Sequence, residues 1–369
     1  MKITAINLET VRVTERVDWT FVHIDTDEGI RGLGELNPAV RRSDHLGTVR
    51  PMSDALIGRD PRQIEKLVAL FDPAKLDRFG FRVLSALDQA LWDILGKWLA
   101  APVYALLGGA CRDEIRLYAN INRATRGDRS PTAFARNAAQ AVADGFDAVK
   151  LAPFDGLPRG IDSAADAADG IAAMRAVRDA IGPGVDLLVD CHSRFTAKGA
   201  LDVAAALREL DLYWFEEPVP DEDYDGYREV KARCGIPVAG GESRMHRRGF
   251  WEAINRDTLD YAMPDVTIVG GISELKKVAT LAEARDIPTA PHGPFGPVTT
   301  ATSVHAMAAH PLFPILEYAW GEAPWRRDLI QPAENIVNGR VPLPQLPGLG
   351  VELNAETVAQ HRIANPSTR

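Results

Sequence analysis

The sequence predicts an α/β protein: a (β/α)₈ TIM-type barrel with an N-terminal α+β capping domain that the C-terminal tail completes. Three observations predict it. Asp190, Glu216 and Glu242 close the apolar runs DLLV, LYWF and PVAGG at an even step of 26 residues. A strand, a helix and two loops fill about that length, so a repeating βα barrel sets the three carboxylates side by side on its C-terminal rim. From about residue 115, short apolar runs alternate with helical patterns over roughly 200 residues, the count expected of eight βα units. The N-terminal stretch instead reads as strands followed by helices, the pattern of a separate α+β unit.

The elements follow in order. MKITAINLETVRV alternates as a strand does, residues 20–25 read as a second strand, and the turn Thr26-Asp27-Glu28-Gly29 returns the chain through 30–35 as a hairpin. A helix is predicted to start at Asp60-Pro61, an N-cap followed by proline, and another to run through FRVLSALDQALWDILGKWL. The barrel strands are 115–120, 148–151, 186–190, 212–216, 237–240, 259–263, 288–291 and 314–318, with helices such as 131–144, 164–181, 201–209, 273–285 and 299–309 between them. Unbroken apolar runs suit a parallel sheet covered on both faces. The tail LPQLPGLGVELN, rich in Pro and Gly, is expected to return to the N-terminal unit. The domains are therefore 1–112, 113–328 and 329–369.

Composition narrows the function. A net charge of −9 over 369 residues argues against a nucleic-acid or anionic-membrane binder, which needs a basic face. No apolar run of eighteen residues and no signal-peptide pattern occurs, so a soluble cytoplasmic protein is expected. Cys111, Cys191 and Cys234 form no CxxC, which fits a reducing compartment. Cys191, between Asp190 and His192, is expected to point away from both.

Lone strand-end carboxylates usually cap helices or pair with lysines. Three at consecutive strand ends repel one another unless a cation neutralises them, and an all-oxygen set selects Mg²⁺ or Mn²⁺ over zinc. His192 follows Asp190 by two residues, so strand periodicity predicts both side chains on one side. His292 ends the seventh strand in TAPHGPFG, and Asp265 in MPDV, one strand earlier, is placed to fix its tautomer. Lys150 ends the second strand and Glu317 the eighth; each faces the substrate or, alternatively, pairs with the other. Loops 16–19 and 40–45 are expected over the barrel mouth. Arg41, Arg42 and His45 are candidates there for substrate hydroxyls or a distal carboxylate, against the alternative of a solvated basic loop. Trp320 and Trp325 either shape the pocket or pack beneath the cap.

These motifs, in this order, resemble the enolase superfamily, mandelate racemase subgroup, and within it the galactonate dehydratase-like branch. ALWDILGKWLAAPVYALLGG, VDCH, FEEP, GGES, PDV, the lone strand-seven His, LEY and PGLGVEL carry the resemblance over essentially the whole chain. It implies Mg²⁺ on Asp190, Glu216 and Glu242, a His292–Asp265 general base, and His192 as the acid. Racemases of the subgroup carry Lys-x-Lys on strand two; here the motif is Lys150-Leu151-Ala152, and Ala152 moves no proton. The expected reaction is therefore dehydration of a sugar acid, aldonate or aldarate, to a 2-keto-3-deoxy acid. The metal, Lys150 and, if protonated, Glu317 would stabilise the enediolate. The rivals are an epimerase or cycloisomerase using the same enolate, a non-catalytic binding protein on this fold, and a zinc metallohydrolase. The resemblance also implies an even-numbered homo-oligomer, often an octamer.

Overall fold

The computed structural model describes residues 1–15, 17–38 and 49–363. Arg16, Arg41, Arg42 and His45 lie outside the described residues. Alternation at the N-terminus forms an antiparallel sheet in the order β1 (Ile3–Arg12), β2 (Asp18–Thr26), β3 (Arg31–Leu36). Gly29 takes the left-handed position of the hairpin turn at φ +78, and Thr26 Oγ1 closes it by donating to Ile30 O at 2.7 Å. The helix Arg78–Trp98 lies directly on β3. A Cβ at Gly32 or Gly34 would stand 2.2 Å from a carbonyl of that helix, so only glycine permits the contact.

The barrel strands are β4 (Glu114–Asn120), β5 (Ala148–Leu151), β6 (Asp186–Asp190), β7 (Leu212–Glu216), β8 (Val238–Gly240), β9 (Tyr261–Ala262) and β10 (Leu316–Ala319). They are parallel, in the order β10-β4-β5-β6-β7-β8-β9. The predicted seventh strand at 288–291 is reduced to a single bridge, Thr289 to Ala262. Pro288 and Pro291 have no N–H to give, so the segment keeps only flanking bonds such as Ala290 N to Ala262 O at 2.9 Å. The other departure is at Asp60-Pro61. Asp60 accepts from the Arg62 backbone and guanidinium instead of capping, and the helix there is Ile64–Val68.

One residue from each of the eight strand positions fills the barrel interior: Tyr118, Ala148, Leu188, Trp214, Ala239, Met263, Ala290 and Ile315. Neighbouring residues of opposite pleat, among them Val149, Val189, Phe215 and Cys191, pack outward against the helices. Cys191 is thus wholly buried, on the opposite side from its chemical neighbours.

The tail binds both units. Arg340–Pro342 pairs antiparallel with the start of β4, Gly348 exchanges backbone bonds with Ala101 and Val103, and Ile363 N donates to Thr10 O. Trp325 stacks on His361 and meets Trp19 edge-on, so it packs within the cap junction. Trp19 belongs to β2 and is wholly buried, not part of a loop. Trp320 turns to the outside, donating to Asp144.

Asp93 ties three parts together. Its carboxylate accepts from Leu33 N on β3 at 2.9 Å, from Leu349 N in the tail at 2.7 Å, and pairs with Lys97 at 2.7 Å, all without exposure of its own. Asp93→Ala orphans two buried N–H groups and takes one of two carboxylates from Lys97, which keeps Glu352 and Arg31 O, and is expected to cost about 2–5 kcal/mol. Chemical denaturation followed by circular dichroism measures it.

Candidate active site

The interior layer sets the positions of the chemistry. Two residues beyond Tyr118, Ala148, Leu188, Trp214, Met263, Ala290 and Ile315 stand Asn120, Lys150, Asp190, Glu216, Asp265, His292 and Glu317. The pleat of two carries each from the apolar plug to the C-terminal rim. On the fifth strand Gly241 takes that place at φ +107, where a Cβ would strike the Phe250 ring, and Glu242 follows one residue later.

Donor atoms of Asp190, His192 and Glu242 lie within 4.8 Å of one another. Glu216 stands beside Asp190 in the sheet register, but its oxygens are engaged: Oε1 accepts from Lys150 Nζ at 2.8 Å and Oε2 from Trp214 Nε1 at 2.9 Å. Glu242 Oε2 is buried without a hydrogen-bond partner, 3.3 Å from His292 Nε2. Burial pushes the Glu216 carboxyl up to about 8 despite Lys150, with Asp190 adding to the rise. Burial also raises Glu242, against the pull of His292. Asp190 is buried too, yet His192 outweighs that and holds it below the usual range. Such under-compensated oxygens suit a hard divalent cation, with Asp190 and Glu242 as its surest ligands. Glu216 keeps lone pairs beyond the two in use.

His292 Nδ1 donates to Asp265 Oδ2 at 2.9 Å, while Thr267 N and Oγ1 both donate to Asp265 Oδ1 at 2.7 Å. The pair is thereby fixed, and Nε2 faces Glu242 at 3.3 Å and Glu317 at 3.7 Å. Burial disfavours the charged ring, but the carboxylates of Glu242, Glu317 and Asp265 outweigh it and push His292 up to about 10.

His192 reaches the same side as Asp190 by a different route from the one predicted. The strand ends at Asp190, and His192 folds back in the left-handed region at φ +43 with its N–H on Asp190 Oδ1. Its Nε2 lies 2.8 Å from Asp190 Oδ2, and its Nδ1 bonds Asp155, itself paired with Arg129 at 2.9 Å. Against burial, Asp190 and Asp155 push His192 up to about 12.

Lys150 and Glu317 form the ion pair that the sequence left open, at 2.8 Å with neither side chain exposed. Glu317 also accepts from Asn120 Nδ2 at 2.8 Å and Gly293 N at 2.9 Å. Lys150 and His292 outweigh its burial and hold it below the usual carboxylate range. Those neighbours favour the ionised form of Glu317 over the protonated one on which its role at the enediolate was conditional. Lys150, raised well above its ordinary value by Glu216 and Glu317 against burial, is a buried counter-charge beneath the rim.

Sequence reasoning missed several residues here. Asn120 was accessible through the two-residue offset from Tyr118. Asp155 lies in a loop with no periodic signal. Glu35 on β3 is wholly buried and accepts from Gly296 N at 2.6 Å and Thr299 N at 2.9 Å, capping the helix Pro297–Ala308 just beyond His292. Its partners are more than 260 residues away in the chain, so no local pattern announces it.

A capped barrel with acidic ends on consecutive strands and a histidine–aspartate pair opposite them is the architecture of the enolase superfamily. Residues 5–108 match the mandelate racemase/muconate lactonizing enzyme N-terminal domain, and residues 133–358 match the enolase C-terminal domain-like family. The chain belongs to the mandelate racemase/muconate lactonizing enzyme family. The D-galactarolactone cycloisomerase of Agrobacterium fabrum is 33% identical over 400 residues, spanning 99% of this chain and 100% of that protein. The D-galactonate dehydratase of Variovorax paradoxus is 34% identical over 389 residues, spanning 99% and 95%. A mandelate racemase/muconate lactonizing enzyme structure from Jannaschia sp. CCS1 superposes with a TM-score of 0.90 at 31% identity, covering 100% of this chain and 99% of that one. Among the described residues no helix is long and apolar enough to cross a membrane.

A cation that draws on Glu216 competes with the proton that burial favours on this carboxyl, raised to about 8, and with its bond to Lys150. Mg²⁺ affinity is therefore expected to climb as pH rises to about 8 and to level off above it. Calorimetry in buffers of different ionisation enthalpy should read proton release at pH 7. Asp190→Asn or Glu242→Gln should weaken binding by more than about 100-fold, beyond what losing an outer partner costs.

Proposed function

We propose that this chain, a hydro-lyase like its relatives named dehydratases, is a Mg²⁺-dependent sugar-acid dehydratase, with Mn²⁺ as a substitute. The substrate is an aldonate or aldarate and the product a 2-keto-3-deoxy acid. One observation carries the reading: two histidines flank the acidic cluster in different settings. His192 is clamped as a cation by Asp190 and Asp155, whereas His292 presents Nε2 with its other nitrogen fixed on Asp265.

Asp190, Glu216 and Glu242 would hold the cation, which supplies the positive charge that acidifies the carbon beside a carboxylate. Asp265 keeps the proton on Nδ1 of His292, so Nε2 is the atom that takes the C2 proton. A cation on Glu242 would weaken the strongest influence raising His292 and so favour the neutral ring that a base requires. The C2–H electrons first move onto the carboxyl group as an enediolate, and then form the C2–C3 double bond as the C3–O bond breaks. His192 passes its proton to the departing hydroxyl, which leaves as water, and the enol tautomerises to the 2-keto acid. Lys150 and Glu317 hold the floor of the site, and Asn120 fixes Glu317.

Ala152 supports elimination over two-base racemisation. It is buried, its N–H donates to Asn122 Oδ1 at 2.7 Å, and it offers no proton-transfer group. A second reading is favoured by the full-length similarity to a D-galactarolactone cycloisomerase. The same His292 would then form the enolate, and a ring oxygen would leave in place of water.

Incubating mono- and diacid sugars with enzyme and Mg²⁺ in D₂O distinguishes the two. Dehydration turns an open-chain acid into a semicarbazide-reactive 2-keto acid with loss of water; cycloisomerisation turns a lactone into a keto acid of unchanged mass. His292→Asn should lower keto-acid formation by about 10²–10⁴-fold and abolish deuterium entry at C2, with Mg²⁺ binding retained. His192→Asn should stop water loss by a similar factor while deuterium still enters C2.

A further inference from the structure

The helix Arg78–Trp98 faces the barrel along one stripe. Arg78 Nη1 reaches Ser243 Oγ at 3.4 Å, Ser85 Oγ accepts from Gly270 N at 2.9 Å, and Gln89 Oε1 accepts from Glu35 N at 3.0 Å and meets Thr302 Oγ1 at 3.5 Å. Positions 78, 82, 85 and 89 follow one another at helical steps of four, three and four, so they lie on one face. Arg82 therefore projects onto the barrel mouth. It lies between Ser243, the neighbour of Glu242, and the segment that runs from Asp265 to Gly270.

Its surroundings do not satisfy it. Arg82 is 9% exposed, its Nε is buried with no hydrogen-bond partner, and no carboxylate among the described residues forms an ion pair with it. Beneath it lies the Phe79 ring, 5.5 Å from the guanidinium carbon. The two other buried arginines are partnered: Arg326 with Glu334 at 3.0 Å and Arg244 with Asp221 at 3.2 Å. Burial lowers the pKa of Arg82, and Arg78 lowers it further. The carboxylate that opposes them, Asp265, already serves His292 and Thr267. A guanidinium unpaired, its Nε withdrawn from water and its terminal nitrogens open to the mouth, is costly to leave without a counter-charge, so its place above the rim asks for an anion that arrives with the substrate. A carboxylate fits its fork in two parallel bonds, which a hydroxyl does not.

We propose that Arg82 receives a second carboxylate at the far end of the substrate, so that the sugar acid is a diacid of the aldarate type. The inference rests on the sugar-acid reading and extends it to the cap. One carboxylate sits at the acidic rim, where the C2 proton is removed; the other pairs with Arg82 and fixes how far along the chain the cap can close.

The test pairs an aldarate with the aldonate of the same configuration, using the full-length enzyme with Mg²⁺. Wild type should favour the aldarate in kcat/KM by about 100-fold, and Arg82→Gln should lose about that factor on the aldarate, chiefly in KM. The same variant should change the aldonate by less than about threefold, and Arg82→Lys should fall between. Equal losses on both acids, or no loss on the aldarate, overturn the proposal, as does a wild-type preference for the aldonate. That last comparison needs no variant and so stands even if Arg82→Gln does not fold. If no sugar acid yields a keto product, the dehydratase reading fails separately. Calorimetric binding of the two acids then decides for Arg82: tighter aldarate binding that Arg82→Gln removes supports it, and equal binding overturns it.

Discussion

The rest of the site depends on one shortage, that of positive charge at the C-terminal rim of the barrel. Asp190, Glu216, Glu242, Asp265 and Glu317 converge there. Lys150, 2.8 Å from both Glu216 and Glu317 and without exposure, is the one ammonium among them. Like charges so close are tolerated only where cations or protons answer them. The two histidines answer part of the excess, which is why both rings hold protons more tightly than usual. A divalent cation held by Asp190, Glu216 and Glu242 would answer the remainder. The same charge balance would then serve both the fold and the proposed chemistry.

The barrel produces this concentration by simple means. An interior layer of one apolar residue per strand closes the bore, and the pleat lifts the next inward residue to the rim. Aromatic bulk at Tyr118 and Trp214 keeps water from Lys150, and Trp214 also donates to Glu216. The cap then fixes what the barrel leaves free. Glu35 holds the segment just after His292, and Asp88 accepts from Ser273 N and Oγ on the helix beyond Asp265. The His292–Asp265 pair is thus braced in part from the same helix that carries Arg82.

Much of this was legible in the sequence because barrel chemistry follows periodicity. The even spacing of Asp190, Glu216 and Glu242, and the ordered motifs around them, gave the architecture and most of the rim. What escaped obeys no period. His192 reaches Asp190 through a left-handed turn that strand alternation does not foresee. Asp155 comes from an irregular loop, and Glu35 acts across the domain junction. The seventh strand was over-read because its apolar content signalled burial, while its prolines denied it a ladder. The protonation of Glu317 was left conditional because nothing along the chain states how near Lys150 would lie.

The most direct test of the account is where a cation settles and what Glu216 does when it arrives. Anomalous diffraction from crystals grown with Mn²⁺ would show it. The account predicts one ion within about 2.0–2.2 Å of carboxylate oxygens of Asp190, Glu216 and Glu242, with His192 and His292 on opposite sides and neither bound to it. An ion held by Asp190, His192 and Glu242, with Glu216 still locked on Lys150 and Trp214, would contradict it. His192 would then be a ligand, and the acid that expels water would have to be sought elsewhere.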